Sequence, residues 1–347
     1  MCTRRALTVL AVSFLLARVA SAEEPEKPKP PRPRLRISGY IQVFFKARVE
    51  QSGDGTTEPT VFRVQRARLE LEGEIVPRID FDLEIDPRAP AISGVMRDAF
   101  ISLRVIPHHK IRIGQQKTQF GYENNESSTR LYTVNRADIS DNLARGVTLR
   151  DIGIGLIGGW PLGDGFKLED AVTVVNGAGM NVQADDTGKK NVWGRVGARY
   201  RDKQRELSAR LGVSGAIGDQ SQPADPGPPA TPAYVFNFTR LGADLELDSP
   251  WVFLAAEYVM GTDEAPADMP DVGGDRAGYY VLAAGKTCWD VGPVLRYDAL
   301  EDFHRLTLGA YWGGPEAPLR VLLNYEFFED ELGRHDDRAY AWTQVRF

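Results

Sequence analysis

The chain has 347 residues, 42% of them hydrophobic and 26% charged, with a formal net charge of −6. That acidic balance argues against nucleic acid as a partner. Two cysteines cannot make a disulfide framework, and beyond the N-terminus no apolar run approaches the ~20 residues of a membrane-spanning helix.

The N-terminus reads as a targeting segment. Arg4 and Arg5 precede an apolar run from Ala6 to Ala17, and Ala20-Ser21-Ala22 offers a small-x-small cleavage site before Glu23. The expected organisation is a signal peptide over 1–22, a Pro-rich leader over 23–34 and one domain over 35–347. Cleavage would leave Cys288 as the single cysteine. Proline at the density of Glu24 to Arg34 favours an extended, polyproline-like leader that cannot pair into a sheet, read here as a periplasmic tail.

From Leu35 onward the hydrophobic period is two. Leu35, Ile37, Gly39, Ile41, Val43 and Phe45 share one parity, against Arg36, Ser38, Tyr40, Gln42, Phe44 and Lys46 on the other. Ala67, Leu69, Leu71 and Gly73 repeat the pattern against Arg66, Arg68, Glu70 and Glu72; so do Ile79, Phe81 and Leu83 against Asp80, Asp82 and Glu84. A wall between lipid and water requires that split. The alternation predicts strands near 35–49, 61–75, 78–87, 95–106, 110–118, 146–157, 166–176, 191–201, 205–216, 234–247, 251–260, 277–287, 291–300, 303–312, 319–328 and 339–347. That is an all-β, transmembrane antiparallel β-barrel of about 16 strands, each near the ~10-residue span such strands need. The last strand closes on Phe347. With the export signal, it places the chain in the outer membrane of a Gram-negative cell, with both termini periplasmic.

Connections alternate in length. Val76-Pro77, Pro107-His108-His109, Arg201 to Arg205, Asp248-Ser249-Pro250 and Gly313 to Pro318 are short. Gln51 to Thr60, Thr118 to Arg145, Ala178 to Lys190, Ile217 to Ala233 and Gly261 to Ala277 are long. Short turns and long loops mark the periplasmic and extracellular rims. The longest loop, 118–145, is a candidate constriction that folds inward.

No arrangement for catalysis, metal or cofactor stands out. His108 and His109 share a tight turn; His304 and His335 lie apart. There is no His-Glu-x-x-His, Cys-x-x-Cys or Gly-x-Ser-x-Gly. The glycines of Gly153-Ile154-Gly155-Leu156-Ile157-Gly158-Gly159 precede no helix and read as close strand packing. Asp185-Asp186 reads as a solvated acidic patch.

The positive signal is arginine on the inward parity. Arg66, Arg68, Arg104, Arg112, Arg195, Arg199, Arg210 and Arg296 oppose their strands' apolar sets, and Lys117 ends the fifth strand. A cation facing lipid at mid-depth costs about 2–4 kcal/mol, so these residues imply a wet lumen. Guanidinium forks suit carboxylate or phosphate, and rings of them favour anions in a pore. Glu70, Glu72, Asp80, Asp82, Glu84, Asp98, Asp244, Glu246 and Asp298 share those faces, so cross-strand pairing is the plainer role for any single arginine. On this reading the partners are outer-membrane lipid and small anions. A non-selective porin, or a structural or adhesive barrel with a closed interior, stays open.

Several segments occur in a characteristic order. They are Phe62-x-x-x-Arg66-Ala67-Arg68-Leu69-x-Leu71-x-Gly73, Asp80-Phe81-x-Leu83-x-x-Asp86, Arg97-Asp98-Ala99-Phe100-Ile101, Arg112-Ile113-Gly114-Gln115-x-Lys117-x-x-Phe120-Gly121 and Arg150-Asp151-Ile152-Gly153, with Asn176-Gly177 and Arg296-Tyr297-Asp298 further on. Together they resemble the phosphate-selective porin O and P family. The resemblance implies a sixteen-stranded outer-membrane barrel, usually a homotrimer, that passes anions such as phosphate or polyphosphate through a lysine- and arginine-lined constriction fed by an arginine ladder. Arg66, Arg68, Arg112 and Lys117 lie in the matching segments. The chain departs from the family in its long loop, which carries Arg130, Arg136 and Arg145 but no lysine, beside Glu123, Glu126, Asp138 and Asp141.

Overall fold

The computed structural model describes residues 34–48, 60–88, 94–145, 148–183, 188–222, 234–264, 273–301, 303–329 and 336–347. The expected signal peptide, nearly all of the leader, Asp185-Asp186, His335 and much of the first, fourth and fifth long loops lie outside them.

Sixteen strands form one closed antiparallel barrel. They are β1 (Arg34–Arg48), β2 (Val61–Val76), β3 (Ile79–Ile85), β4 (Met96–Ile106), β5 (His109–Lys117), β6 (Arg150–Gly163), β7 (Phe166–Val175), β8 (Asn191–Asp202), β9 (Leu207–Gln222), β10 (Tyr234–Asp248), β11 (Val252–Glu264), β12 (Gly274–Gly285), β13 (Val291–Leu300), β14 (Phe303–Trp312), β15 (Leu319–Glu329) and β16 (Arg338–Arg346). Each pairs with its neighbours in sequence. β1 closes on β16 in a ladder from Tyr40 opposite Arg346 to Arg48 opposite Arg338, and Gly39 and Phe347 exchange two further backbone bonds at 3.0 Å. Closure leaves no sheet edge, the condition for strands to cross lipid.

The alternation read from the sequence decides which side is out. Ile37, Leu211, Val213, Val281 and Leu323 are more than half exposed. Their inward neighbours, such as Tyr40, Gln42, Asp244 and Arg296, are buried. Trp160, Phe166, Trp251, Trp289, Trp312 and Phe347 are exposed near the short-turn rim, where an aromatic belt meets the membrane interface. Turns on that rim use left-handed backbone at Arg78 (φ 75°), His108 (φ 62°) and Asp164 (φ 48°), as tight hairpins between twisted strands demand.

Inward sites differ in what they meet. Between β5 and β6 the chain leaves the wall, enters the barrel and forms a short helix, α1 (Asp138–Asn142). The lumen is therefore divided into a face this loop covers and a face it leaves open.

Candidate functional site

The covered face is built from β9 to β16. Wall carboxylates accept the loop's N–H groups, and wall arginines donate to its carbonyls. The Glu257 carboxylate accepts from the backbone of Tyr122 at 2.5 Å and Glu123 at 2.9 Å, while Asp298 accepts from Asp138 at 3.0 Å. Arg296 donates to the Asn135 carbonyl at 2.6 Å, Arg305 to Arg136 at 2.7 Å, Arg320 to Leu131 at 3.0 Å and Arg240 to Leu143 at 3.0 Å. Asp298 also holds Arg296 at 2.9 Å and Arg305 at 2.8 Å. Arg240, Arg296, Arg305 and Asp298 are offset by buried partners of opposite sign, while Glu257 and Arg320 are held among the described residues by hydrogen bonds.

Apolar packing completes the seat. Phe120, Ile139 and Leu143 from the loop join Trp193, Phe238, Val259 and Tyr280 from the wall in one buried cluster. The Phe120 and Trp193 rings meet edge to face at 5.8 Å. Two wall positions have room only for glycine: a Cβ on Gly278 would lie 2.4 Å from Ile139 Cγ2, and one on Gly242 would lie 2.9 Å from the Phe120 ring. In the loop, Gly121 takes φ 66° and donates to Ser214 Oγ at 3.0 Å. Burial pushes the phenols of Tyr122 and Tyr132 and the carboxyl of Asp138 above their usual pKa ranges, as a dry contact requires.

The open face lies between the loop and β2 to β6. A cavity of about 400 Å³ remains there. Among the described residues seven cations line it (Arg66, Arg68, Arg97, Lys117, Arg136, Arg145 and Arg150) against three carboxylates, Glu70, Glu84 and Asp141. Pairing absorbs some of the excess. Arg68 meets Glu84 at 2.7 Å, Arg150 meets Asp98 at 2.5 Å and Glu84 at 3.3 Å, and Arg145 meets Asp141 at 2.9 Å. The other four cations have no carboxylate partner among the described residues. Arg66 donates to Gln42 Oε1 at 2.8 Å and Arg97 to Met180 Sδ at 3.5 Å. Lys117 Nζ donates to the carbonyls of Asn124, Asn125 and Glu126 at 2.9–3.3 Å, and Arg136 donates to those of Glu123 and Glu126. Lys117 and Arg136 thus fold the loop tip back on itself while presenting charge to the cavity.

Five of the residues expected from sequence meet in this cavity: Arg66, Arg68, Lys117, Arg136 and Arg145. The rest are placed elsewhere. Arg104 stands nearer the short-turn rim with Glu74 at 2.6 Å and Asp80 at 3.0 Å; Arg112 lies over the Phe100 ring at 4.5 Å. Arg195 pairs with Asp244 at 2.5 Å, Arg199 with Glu169 at 3.3 Å, and Arg210 with Glu169 at 3.3 Å and Glu246 at 3.2 Å. Arg130 turns away from the cavity, to Glu126 and Glu316. Arg296 corrects the expectation of a pore-lining side chain: it is 0% exposed, sealed beneath the loop because Asn135 and Asp298 offer it acceptors.

Two cavity residues, Arg97 and Arg150, escaped the parity argument. The β3–β4 register shifts so that Asp98 lies opposite Glu84 but Met96 opposite Ile85. Arg97 is the extra residue of that bulge, and a bulge re-aims its side chain. Arg150 faces Lys117 as the last pair of the β5–β6 ladder, where alternation gives way to loop.

The sequence matches the model of the family described as phosphate-selective porin O and P over residues 36–218. No curated protein matches it. Among solved structures the fold is similar to an anion-selective porin from Comamonas acidovorans, with TM-score 0.57 and 17% identity over 91% of this chain and 100% of that one. It is also similar to a loop L8 deletion mutant of the Vibrio cholerae outer membrane protein OmpT, with TM-score 0.62 and 10% identity over 91% and 99%. The trimer form of in-vitro folded OmpT has TM-score 0.59 and 10% identity over 91% and 100%. At such identities these structures speak for the fold alone. The family match spans more than half of the chain, and the protein belongs to the phosphate-selective porin O and P family of outer-membrane porins.

Proposed function

We propose that this porin passes small anions in preference to cations, phosphate and polyphosphate among them, through the open face of its lumen. The observation that carries the reading is the excess of seven cations over three carboxylates around one cavity. Fixed guanidinium and ammonium groups lower the barrier for an anion that sheds part of its hydration. Arginine offers phosphate two parallel donors, and among the described residues Arg66 and Arg97 have no carboxylate within ion-pair distance to compete. In the narrow space left by the loop the surrounding wall focuses the field of these charges. The anion specificity of the Comamonas porin and the trimeric OmpT are precedents for the selectivity and for a homotrimer in the outer membrane. The same packing that narrows the lumen would suit a closed structural barrel, and the roughly 400 Å³ cavity favours the channel over it.

Zero-current potentials of purified protein in planar bilayers under a chloride gradient test the reading, with phosphate added in a second series. The expected result is an anion-selective potential, with chloride current reduced as phosphate occupies the cavity. A cation-selective potential, or no single-channel current, would overturn it.

A further inference from the structure

The lumen side chains of β2 change sign along the strand. From the extracellular end they run Arg66, Arg68, Glu70, Glu72, Glu74, with ~6.8 Å between steps of two residues. β3 places Glu84 opposite Glu70, Asp82 opposite Glu72 and Asp80 opposite Glu74. Several of these acids are neutralised: Glu84 by Arg68 and Arg150, Glu72 by Arg36 at 2.9 Å, and Glu74 and Asp80 by Arg104. Among the described residues Glu70 and Asp82 form no direct ion pair, although Arg112 and Lys110 share a cavity with Asp82, and Glu70 accepts from Ser38 Oγ at 3.3 Å. Carboxylate oxygens of Glu70, Glu72 and Asp82 lie within 4.8 Å of one another. Below the cationic cavity, toward the periplasm, a second cavity of about 390 Å³ is lined by as many carboxylates as cations. A strongly positive zone, which counts Glu70 of this carboxylate triad among its three carboxylates, therefore gives way to a balanced vestibule whose own lining includes Glu72 and Asp82.

From this charge step we infer that the channel rectifies, passing more current when the periplasmic side is positive than when it is negative. The inference rests on the proposed anion path. The cationic zone keeps anions as its mobile ions, and the triad keeps cations near the boundary. With the periplasm positive, anions move out of the cationic zone into the boundary while cations move into it from the periplasm. Both accumulate, and the boundary conducts well. With the bias reversed, anions must approach past carboxylates and cations are drawn away toward the periplasm. The boundary empties and its resistance rises. A bias of ~100 mV is worth about 2.3 kcal/mol per elementary charge, several times thermal energy, so filling and emptying are both within reach. The step extends over roughly one screening length at about 0.1 M salt and exceeds it at about 1 M, where the Debye length is ~3 Å. At zero bias the channel remains passive.

Current–voltage curves in symmetric salt test this. Cys288 is exposed in the turn between β12 and β13, so biotin–maleimide labelling followed by streptavidin on one side identifies the periplasmic face. The expected current ratio at opposite biases of ~100 mV is about two in about 0.1 M salt, falling to about one in about 1 M. In the Glu70→Gln/Asp82→Asn variant the ratio should fall to about one at low salt, with stronger anion preference. A straight wild-type curve at low salt, a ratio of the opposite sense, or undiminished rectification in the variant would overturn the inference. The two readings fail separately: the zero-current potential reports the anion path, and the shape of the curve reports the charge step.

Discussion

The two faces of the lumen use the same side chains to opposite ends. On the β9–β16 face Arg240, Arg296, Arg305 and Arg320 are almost wholly buried, each donating to a loop carbonyl. On the β2–β6 face Arg66 and Arg97 reach one uncharged acceptor each and keep their charge for the cavity. Residue type does not separate the two groups; the local supply of acceptors does. Where loop backbone arrives with its carbonyls, arginine becomes a fastening. Where it does not, arginine remains a field.

The sharpest way to break that contrast is Asp298→Asn. Arg296 and Arg305 would share an amide where they now share a carboxylate, and losing one charge from a buried network costs about 3–5 kcal/mol. Single-channel recordings should show larger, noisier openings as the loop leaves its seat, and the denaturation midpoint should fall, with anion preference retained in sign. Gly278→Ala is next. Its new Cβ would lie 2.4 Å from Ile139 Cγ2 and 2.5 Å from the Ala299 carbonyl, an overpacking worth about 1–3 kcal/mol that should lift α1 and appear in the same recordings.

The open face should respond in the opposite manner. Arg66→Gln/Arg97→Gln removes no ion pair and should shift stability by only about 0.5 kcal/mol. It should nevertheless move the zero-current potential severalfold toward a non-selective value. Arg104→Gln is the smallest change: its side chain is 46% exposed, and a partly solvated pair is worth about 0–1 kcal/mol. Its denaturation midpoint should match the parent's. A large loss of stability in the Arg66/Arg97 variant, or none in Asp298→Asn, would erase the contrast between the faces.

Strand order and facing were legible because lipid and water impose a period of two. All sixteen predicted strands correspond to observed ones, from Arg34–Arg48 to Arg338–Arg346. Boundaries slipped where that pressure ends. β9 runs on to Gln222 through residues read as loop, since Gly218, Asp219, Gln220, Ser221 and Gln222 are small or polar and carry no hydrophobic alternation. β6 begins at Arg150 rather than four residues earlier, because the inserted loop occupies the space above. The loop's length signalled its inward course, but its destination depended on pairings between distant residues, such as Glu257 with Tyr122 and Arg320 with Leu131, which no local pattern encodes. The cavity was legible in part for the same reason. Arg66, Arg68 and Lys117 follow from position along their strands, Arg97 from a bulge only the paired strands define, and the fate of Arg296 from a loop that parity cannot see.

One measurement meets the division of the lumen most directly. In a Cys288→Ser background, a cysteine is placed at position 66 on the open face or at position 307, where Thr307 is 0% exposed beneath the loop, and a charged thiol reagent is applied during single-channel recording. The reagent should reduce current through the Arg66→Cys channel within the recording and leave the Thr307→Cys channel unchanged. Equal block of both, or block at position 307 alone, would contradict a lumen that is sealed on one face and conducts along the other.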